Sequence, residues 1–407
     1  MREYEYLGIL FDDALSLEGV VRDRNAKGTR ALNALGPFLR NDSIPLSVRA
    51  AVLRGVVMPT LMYGGELWGC ARARSSTLQT TLNKGLRWCL GLPGRSSAAS
   101  VVAMSREVNV APVAASALHR VCRAVDKYPT LKTWIARLMA PASVPRSVAA
   151  GSWIASARRA AKLAPRSQDP RGRSMAVVDA AWHAVDAKDA TKAGRRYLDS
   201  EMADTRLSRA GLIWLPASGK ALTQVAQMRV GGFRTAVAEA HANGDVGADI
   251  CRFCRGGPNH DARETYAHVV VFCTAWAELR NATGLTRHIQ RALALLRGSG
   301  VRENDSASNV LTLLLGGTVA TQTLTGWDLL KDAGVHYVSD SDDSDVDSAS
   351  ECEDEAGGGH DHLRSPRSLD DLDHNCSCAV GRFLNAVRLR RRLLDKSAAD
   401  SSADEAG

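Results

Sequence analysis

The sequence predicts a mainly α-helical chain with a short strand or hairpin at its N-terminus, a small α-helical module rich in metal-ligand residues, and a disordered acidic tail. Three observations carry this prediction. Alanine-rich segments with apolar residues at helical spacing recur through much of the 407 residues, and alanine is the strongest helix former. Cysteine and histidine converge in one stretch, Cys251 to Arg280. Ser339 to Gly359 is acidic and low in complexity, a composition that buries too little apolar surface to fold. The length exceeds one ordinary domain, so two folded parts and a tail are expected.

Tyr4 to Phe11 is rich in strand formers and interrupted by Gly8, which reads as a strand or hairpin arm. Asp12-Asp13 invites comparison with a carboxylate pair holding Mg²⁺. It reads better as a turn into a helix, because no third carboxylate on an earlier strand precedes it. Val20, Val21, Leu32, Leu35 and Leu39 have helical spacing, and Gly36-Pro37 marks a break. Leu46 to Val57 predicts a second helix, ended by Met58-Pro59. Thr60 to Trp68 is an apolar bend. A third helix starts near Ser75-Ser76-Thr77, runs through Leu78, Leu82, Leu86 and Leu90, and ends at Gly91-Leu92-Pro93-Gly94.

Beyond it the expected order is a helical region over residues 1–140, a basic linker at 141–175, and a second helical region at 176–300. Then follow a short helical segment at 301–338, the acidic linker at 339–380 and a basic helix at 381–396. Within 176–300, Trp182 and His183 are expected to be packing residues, and Gly211 to Pro216 a short apolar strand or turn. The last helix, with Arg388, Arg390, Arg391 and Arg392, is expected to meet RNA, DNA or the acidic tract.

The module at 251–273 has the spacing C-x2-C-x13-H-x4-C, through Cys251, Cys254, His268 and Cys273. Two thiols two residues apart reach one ion from a single tight turn, and Gly256, Gly257, Pro258 and Asn259 reverse the chain between the two halves. Four such ligands fill a tetrahedron, so the expected cofactor is one structural zinc ion with no open catalytic position. On a regular helix, His268 and Cys273 would lie about 140° apart. Cys273 is therefore expected at a frayed or broken turn. His260 is a competing fourth ligand in the loop, and His360, His362, His374, Cys376 and Cys378 form a looser second cluster.

The chain has an odd count of nine cysteines, scattered outside this module, which argues against a disulfide framework. Cys70, Cys89 and Cys122 read as buried thiols. Met1 opens no signal pattern, and Val310 to Ala320 is too short to span a bilayer, so an intracellular chain without a membrane partner is expected. Net charge is +8 despite the acidic tract, so the remainder is more basic still, which suits polyanion partners.

Several runs carry a resemblance. Tyr6-Leu7-Gly8-Ile9, the helix with Lys27, Leu53 to Pro59, Leu61-Met62-Tyr63-Gly64-Gly65-Glu66-Leu67-Trp68, Leu78-Gln79, Asn83-Lys84-Gly85-Leu86-Arg87 and Gly91 occur in that order. They resemble the region just after the polymerase palm in reverse transcriptases of non-LTR (LINE-type) retrotransposons, where the following helices form the thumb. Gln227 to Phe233, then Cys251, Cys254, Glu264, His268, Cys273, Trp276 and Arg280, resemble the zinc-knuckle motif near the C-terminus of the same polyproteins. The resemblance covers roughly the first 120 residues and the 220–285 region.

It implies an RNA-directed DNA polymerase as parent, a nuclear location, and RNA and DNA as partners during target-primed reverse transcription. Lys27, Arg30, Arg54, Lys84 and Arg87 are the expected phosphate contacts. The catalytic aspartates and their Mg²⁺ would belong to an upstream palm, so this chain is expected to be a non-catalytic C-terminal fragment that leans on the upstream polymerase region. The competing expectation is a free-standing zinc adaptor that binds protein.

Overall fold

The computed structural model describes residues 3–12, 17–94, 96–131, 152–164, 172–183, 219–230, 233, 235–244, 248–254, 263–298, 306–315, 318–319, 324–325 and 376–404. The chain is mainly helical, with a two-stranded hairpin at the N-terminus. It divides into two compact units. Residues Met1–Asn41 and Ser47–Gly194 form the first, and Asp42–Leu46 with Arg195–Gly407 the second.

In the first unit, strands β1 (Glu3–Tyr6) and β2 (Ile9–Asp12) pair antiparallel, Tyr6 opposite Ile9. Leu7 and Gly8 between them both take positive φ, 48° and 74°, the signature of a two-residue type I′ turn. The turn is anchored from behind. Tyr63 Oη donates to Leu7 O at 2.7 Å, and Arg24 donates to Gly8 O. Two of the short sequence runs singled out above therefore touch.

Helix α1 (Leu17–Ala34) follows, then α2 (Gly36–Arg40), with the break at Leu35 where Pro37 enters the next first turn. Helix α3 (Leu46–Val52) does not stop at Pro59. It widens into a π turn over Leu53–Val57 and runs on as α4 (Met58–Met62). Proline removes one N–H and its ring collides with the carbonyl four residues back. The wider turn absorbs this, with the Met58 N–H donating five residues back to Leu53 O. Helix α5 (Gly65–Trp68) completes the apolar bend. Helix α6 (Ser76–Leu90) starts and ends where its sequence signals stand, and Leu92 N–H donates back to Arg87 O at 2.9 Å beyond Gly91.

Val20 and Leu32 of α1, Leu61 of α4, and Leu78, Leu82 and Leu86 of α6 are fully buried. Arg49 lies inside this core. Its Nη1 donates to Cys89 O at 2.7 Å and to Leu39 O at 3.3 Å, so one cation serves carbonyls at the C-terminal ends of α6 and α2.

Helices α7 (Ala98–Ser105) and α8 (Val113–Lys127) extend the unit. The stretch expected as a basic linker, 141–175, contains helix α9 (Trp153–Leu163), packed on α8 with Ala157 buried and Trp153 Nε1 donating to Glu66 O at 2.8 Å. Helix α10 (Gly172–His183) joins the same cluster, and Trp182 there is a packing residue whose Nε1 donates to Ser105 Oγ at 3.0 Å. The division between units falls at Gly194, beyond that stretch. Gly211 to Pro216, the acidic tract and His360 to His374 lie outside the described residues.

The second unit comprises α11 (Gly219–Arg229), α12 (Ala236–Asn243), the Cys/His segment, α13 (Ala277–Ala282), α14 (Leu285–Gly298), α15 (Ser306–Leu314), a two-residue pairing of β3 (Thr318–Val319) with β4 (Leu324–Thr325), and α16 (Cys376–Asp404). Arg229, buried, donates through Nε to Leu315 O at 2.9 Å, just past the end of α15.

Helix α16, expected as a basic arm, packs instead on α11, α13 and α14. Ala379, Val380, Phe383, Leu384 and Val387 on its inner face are fully buried. The backbones approach so closely that a Cβ on Gly381 would stand 2.5 Å from Ala221 O. Any side chain there would have to push the two helices apart.

Candidate metal centre

Two short pieces of chain supply the ligands. The first, around Cys251 and Cys254, is tied to the second by an antiparallel bridge between Ile250 and Arg263, with Glu264 N–H donating to Asp249 O at 2.7 Å. The second opens at Thr265, whose hydroxyl accepts from the His268 N–H at 3.1 Å as a helix cap. From there the helix departs from regular geometry, and the frayed or broken turn expected at Cys273 takes a specific form. The helix widens into a π turn over His268–Phe272, closed by Cys273 N–H donating to His268 O at 2.7 Å. The extra residue in the turn brings Cys273 back toward the face that carries His268, and Cys273 then leaves the helix at φ −56°, ψ 115°.

The result is a closed donor set. The ligand atoms of Cys251, Cys254, His268 and Cys273 all lie within 4.8 Å of one another. Cys251 Sγ is 3.8 Å from Cys273 Sγ, and Cys254 Sγ is 3.3 Å from His268 Nε2. A tetrahedral ion about 2.3 Å from sulfur and about 2.0 Å from nitrogen sets ligand edges of about 3.5–3.8 Å. The sulfur–sulfur edge of 3.8 Å already meets that geometry, and the sulfur–nitrogen edge of 3.3 Å is slightly shorter. The four side chains could thus hold a metal ion. Cys251, His268 and Cys273 are buried and Cys254 is partly so, which leaves little access for a substrate.

The electrostatics favour a thiolate before any ion is considered. The Cys251 thiol is held far below its ordinary value, first by the hydrogen bond with the Cys273 thiol, against the opposing effect of burial, and then by His268 and the N–H groups of Cys254 and Phe253. The same contact, then burial and the charge on Cys251, raise Cys273. Arg280 stands nearby, buried, its pKa lowered by burial while the charge on Cys273 raises it. Three thiolates and one imidazole around a divalent cation carry a net single negative charge, and a buried guanidinium beside them offsets it.

A second shell reaches in from far along the chain. Arg391 of α16 pairs with Glu264 at 2.5 Å, with side chains 13% and 2% exposed. Its guanidinium lies 5.0 Å from the Phe253 ring, 5.8 Å from Phe233 and 5.9 Å from Trp276. Phe253 and Trp276 are themselves 4.8 Å apart. Glu264 is raised in pKa by burial, with Arg391 opposing, and it also accepts from the Ala236 N–H at 3.3 Å. The sequence assigns Arg391 to a basic helix expected to meet RNA, DNA or the acidic tract, and the structure turns it inward instead. Only its place four residues after Val387, in line with the buried face of an amphipathic helix, hinted otherwise, and its partners lie far off in sequence.

His260 lies outside the described residues, as do the turn residues from Gly256 to Asn259. The five basic residues expected at phosphates are placed as follows. Lys27 is already shared by Asp23 at 3.0 Å and Glu5 at 3.4 Å. Arg87 is partly buried and donates to Ser96 O at 2.8 Å. Arg30 and Lys84 are exposed, Arg54 partly so on the first π turn, and none of the three pairs with a carboxylate among the described residues.

Among the described residues, no helix is long and apolar enough to cross a membrane. No protein-family model matches the chain, and neither a curated protein nor a solved structure matches it.

Proposed function

We propose that this chain is the C-terminal, nucleic-acid-binding part of a non-LTR retrotransposon reverse transcriptase, with one structural zinc ion held by Cys251, Cys254, His268 and Cys273. The observation that carries the reading is the closed Cys/His donor set, with ligand atoms within 4.8 Å, in the stretch whose sequence resembles that family's knuckle. Zinc, when bound, cross-links the two ligand pieces and supplies no redox chemistry. The chain's own residues do the rest. Thr265 caps the ligand helix, the π turn aims Cys273, and Arg280 balances charge.

The hydrogen bond from Tyr63 to Leu7 supports the same reading, because it joins two of the motif runs on which the resemblance rests. So does the outer face of the hairpin. Tyr4, Tyr6 and Leu7 are 56%, 63% and 72% exposed, which suits a surface that packs on an upstream polymerase region. Catalysis would belong to that region and its Mg²⁺. Here the role is to hold RNA and DNA.

One observation favours a protein-binding zinc adaptor instead. Leu389, Leu393 and Leu394 on α16 are exposed, and exposed leucines suit a protein partner. The deciding experiment uses the full chain. It is expected to carry one zinc per chain by atomic absorption, and to bind RNA and DNA with an affinity that falls steeply with salt, because phosphate contacts release counterions. Zinc without polynucleotide binding at low salt would select the adaptor.

A further inference from the structure

Helices α2 and α6 of the first unit meet at the indole of Trp88, and α1 holds one of the cations there. Arg40, at the end of α2, places its guanidinium carbon 4.2 Å from the ring centroid. Lys84, one turn before Trp88 on α6, holds its Nζ 4.9 Å from the same point. Lys84 also donates to Asn33 Oδ1 of α1 at 3.1 Å. The backbone leaves room for this arrangement. A Cβ on Gly36 would stand 2.8 Å from Arg40 Nη2 and 3.2 Å from Trp88 Cζ3.

The charges of this cluster are not balanced. Both cations are measured to one centroid, so they lie within about 9 Å of each other, inside a Debye length of about 10 Å at moderate salt. Neither has a carboxylate partner among the described residues. Four other cations of the unit are satisfied internally. Arg24 and Lys27 pair with Asp23, while Arg49 and Arg87 donate to backbone carbonyls. Arg40 and Lys84 are exposed beside a half-buried indole. Two like charges, held over one ring from α2 and α6 with Asn33 of α1 steadying Lys84, and open to solvent, form a cradle that an anion stabilises. Arg30, exposed one turn before Asn33 on α1, adds to the same side.

We infer that Arg40, Lys84 and Trp88 form a phosphate-binding patch for a polynucleotide backbone, with Arg40 and Lys84 each taking a phosphate and the indole setting their separation. This rests on the nucleic-acid reading above and gives it a location that includes Arg40 and Trp88, which the sequence motifs did not single out. Phosphate contacts need only positive charge and geometry, so the patch takes RNA and DNA alike.

The test measures binding of the full chain to a labelled single-stranded RNA, and to DNA of the same sequence, across a salt series. The double variant Arg40→Gln/Lys84→Gln should flatten the slope of log affinity against log salt by about 1.4, as expected for two lost phosphates on a single strand. Each single change should give about half of that, and Lys84→Arg should restore the wild-type slope. Both side chains are exposed, and an unchanged circular dichroism spectrum confirms the fold of each variant. Wild-type binding with an unaltered slope in the double variant overturns the patch but leaves the nucleic-acid reading standing. Absence of wild-type binding removes both. Equally tight binding of polyglutamate overturns the patch as a polynucleotide site and assigns it to an acidic protein segment.

Discussion

Cys89 in the first unit and Cys251 in the second are both fully buried, and their thiols are driven in opposite directions. Cys89 sits on α6 among the buried residues Leu82, Leu86 and Leu90. Burial pushes it from 9.0 up to about 12, and Arg49 and Arg54 offset only part of that. Cys251 meets a second thiol, an imidazole and two backbone N–H groups, which together hold its pKa down. Removal from water alone makes cysteine a small hydrophobe. Donors within reach make it a thiolate and a ligand. The two π turns differ in the same way. The one over Leu53–Val57 absorbs a proline and lets the helix continue, whereas the one over His268–Phe272 aims a ligand and ends it.

The contrast can be broken most forcefully by removing the zinc ion proposed for the Cys/His cluster. Structural zinc sites contribute roughly 10–16 kcal/mol of apparent binding energy, which is also folding energy. On the proposed zinc reading, a chelator should therefore move the melting of the second unit to markedly lower temperature and leave the transition of the apolar first unit in place, as followed by circular dichroism. Acidification should act like the chelator, because the sulfur ligands must be deprotonated.

A smaller effect is expected from Arg391→Ala. It leaves Glu264 buried without its counter-charge and should cost about 3–5 kcal/mol in the second unit, read by urea denaturation.

The mildest test concerns Cys89. The folded chain keeps this proton up to about pH 12, whereas the unfolded chain releases it near 9.0. Stability from this group is complete below the unfolded value and falls as pH rises between the two, by about 1.4 kcal/mol per pH unit. Denaturation compared between wild type and Cys89→Ala should show that extra alkaline slope in wild type only.

Local signals account for what the sequence disclosed. Gly8 placed the hairpin turn, Ser75 and Gly91 bracketed α6, and two cysteines at close spacing announced the ligand set. Each depends on residues a few positions apart. Pro59 misled, because the chain widened its turn instead of breaking. Arg391 was expected to meet RNA, DNA or the acidic tract because its partners Glu264, Phe253 and Phe233 come from another part of the chain, and no local pattern encodes them. Arg49 and Arg229 escaped for the same reason, since what they bind are carbonyls at helix ends brought near only by folding.

The docking of α16 has a consequence for how the protein is made. Phe233, Phe253 and Trp276 are covered from one side by Arg391, which lies 118 residues beyond Cys273 (391 − 273). At ribosomal speeds of about 5–20 residues per second, the aromatic cluster waits about 6–24 s for its lid. During that interval the nascent chain offers the cell a sticky, half-finished module. A message cut short before Cys376 would release it permanently in that condition, a ready client for chaperones and proteases.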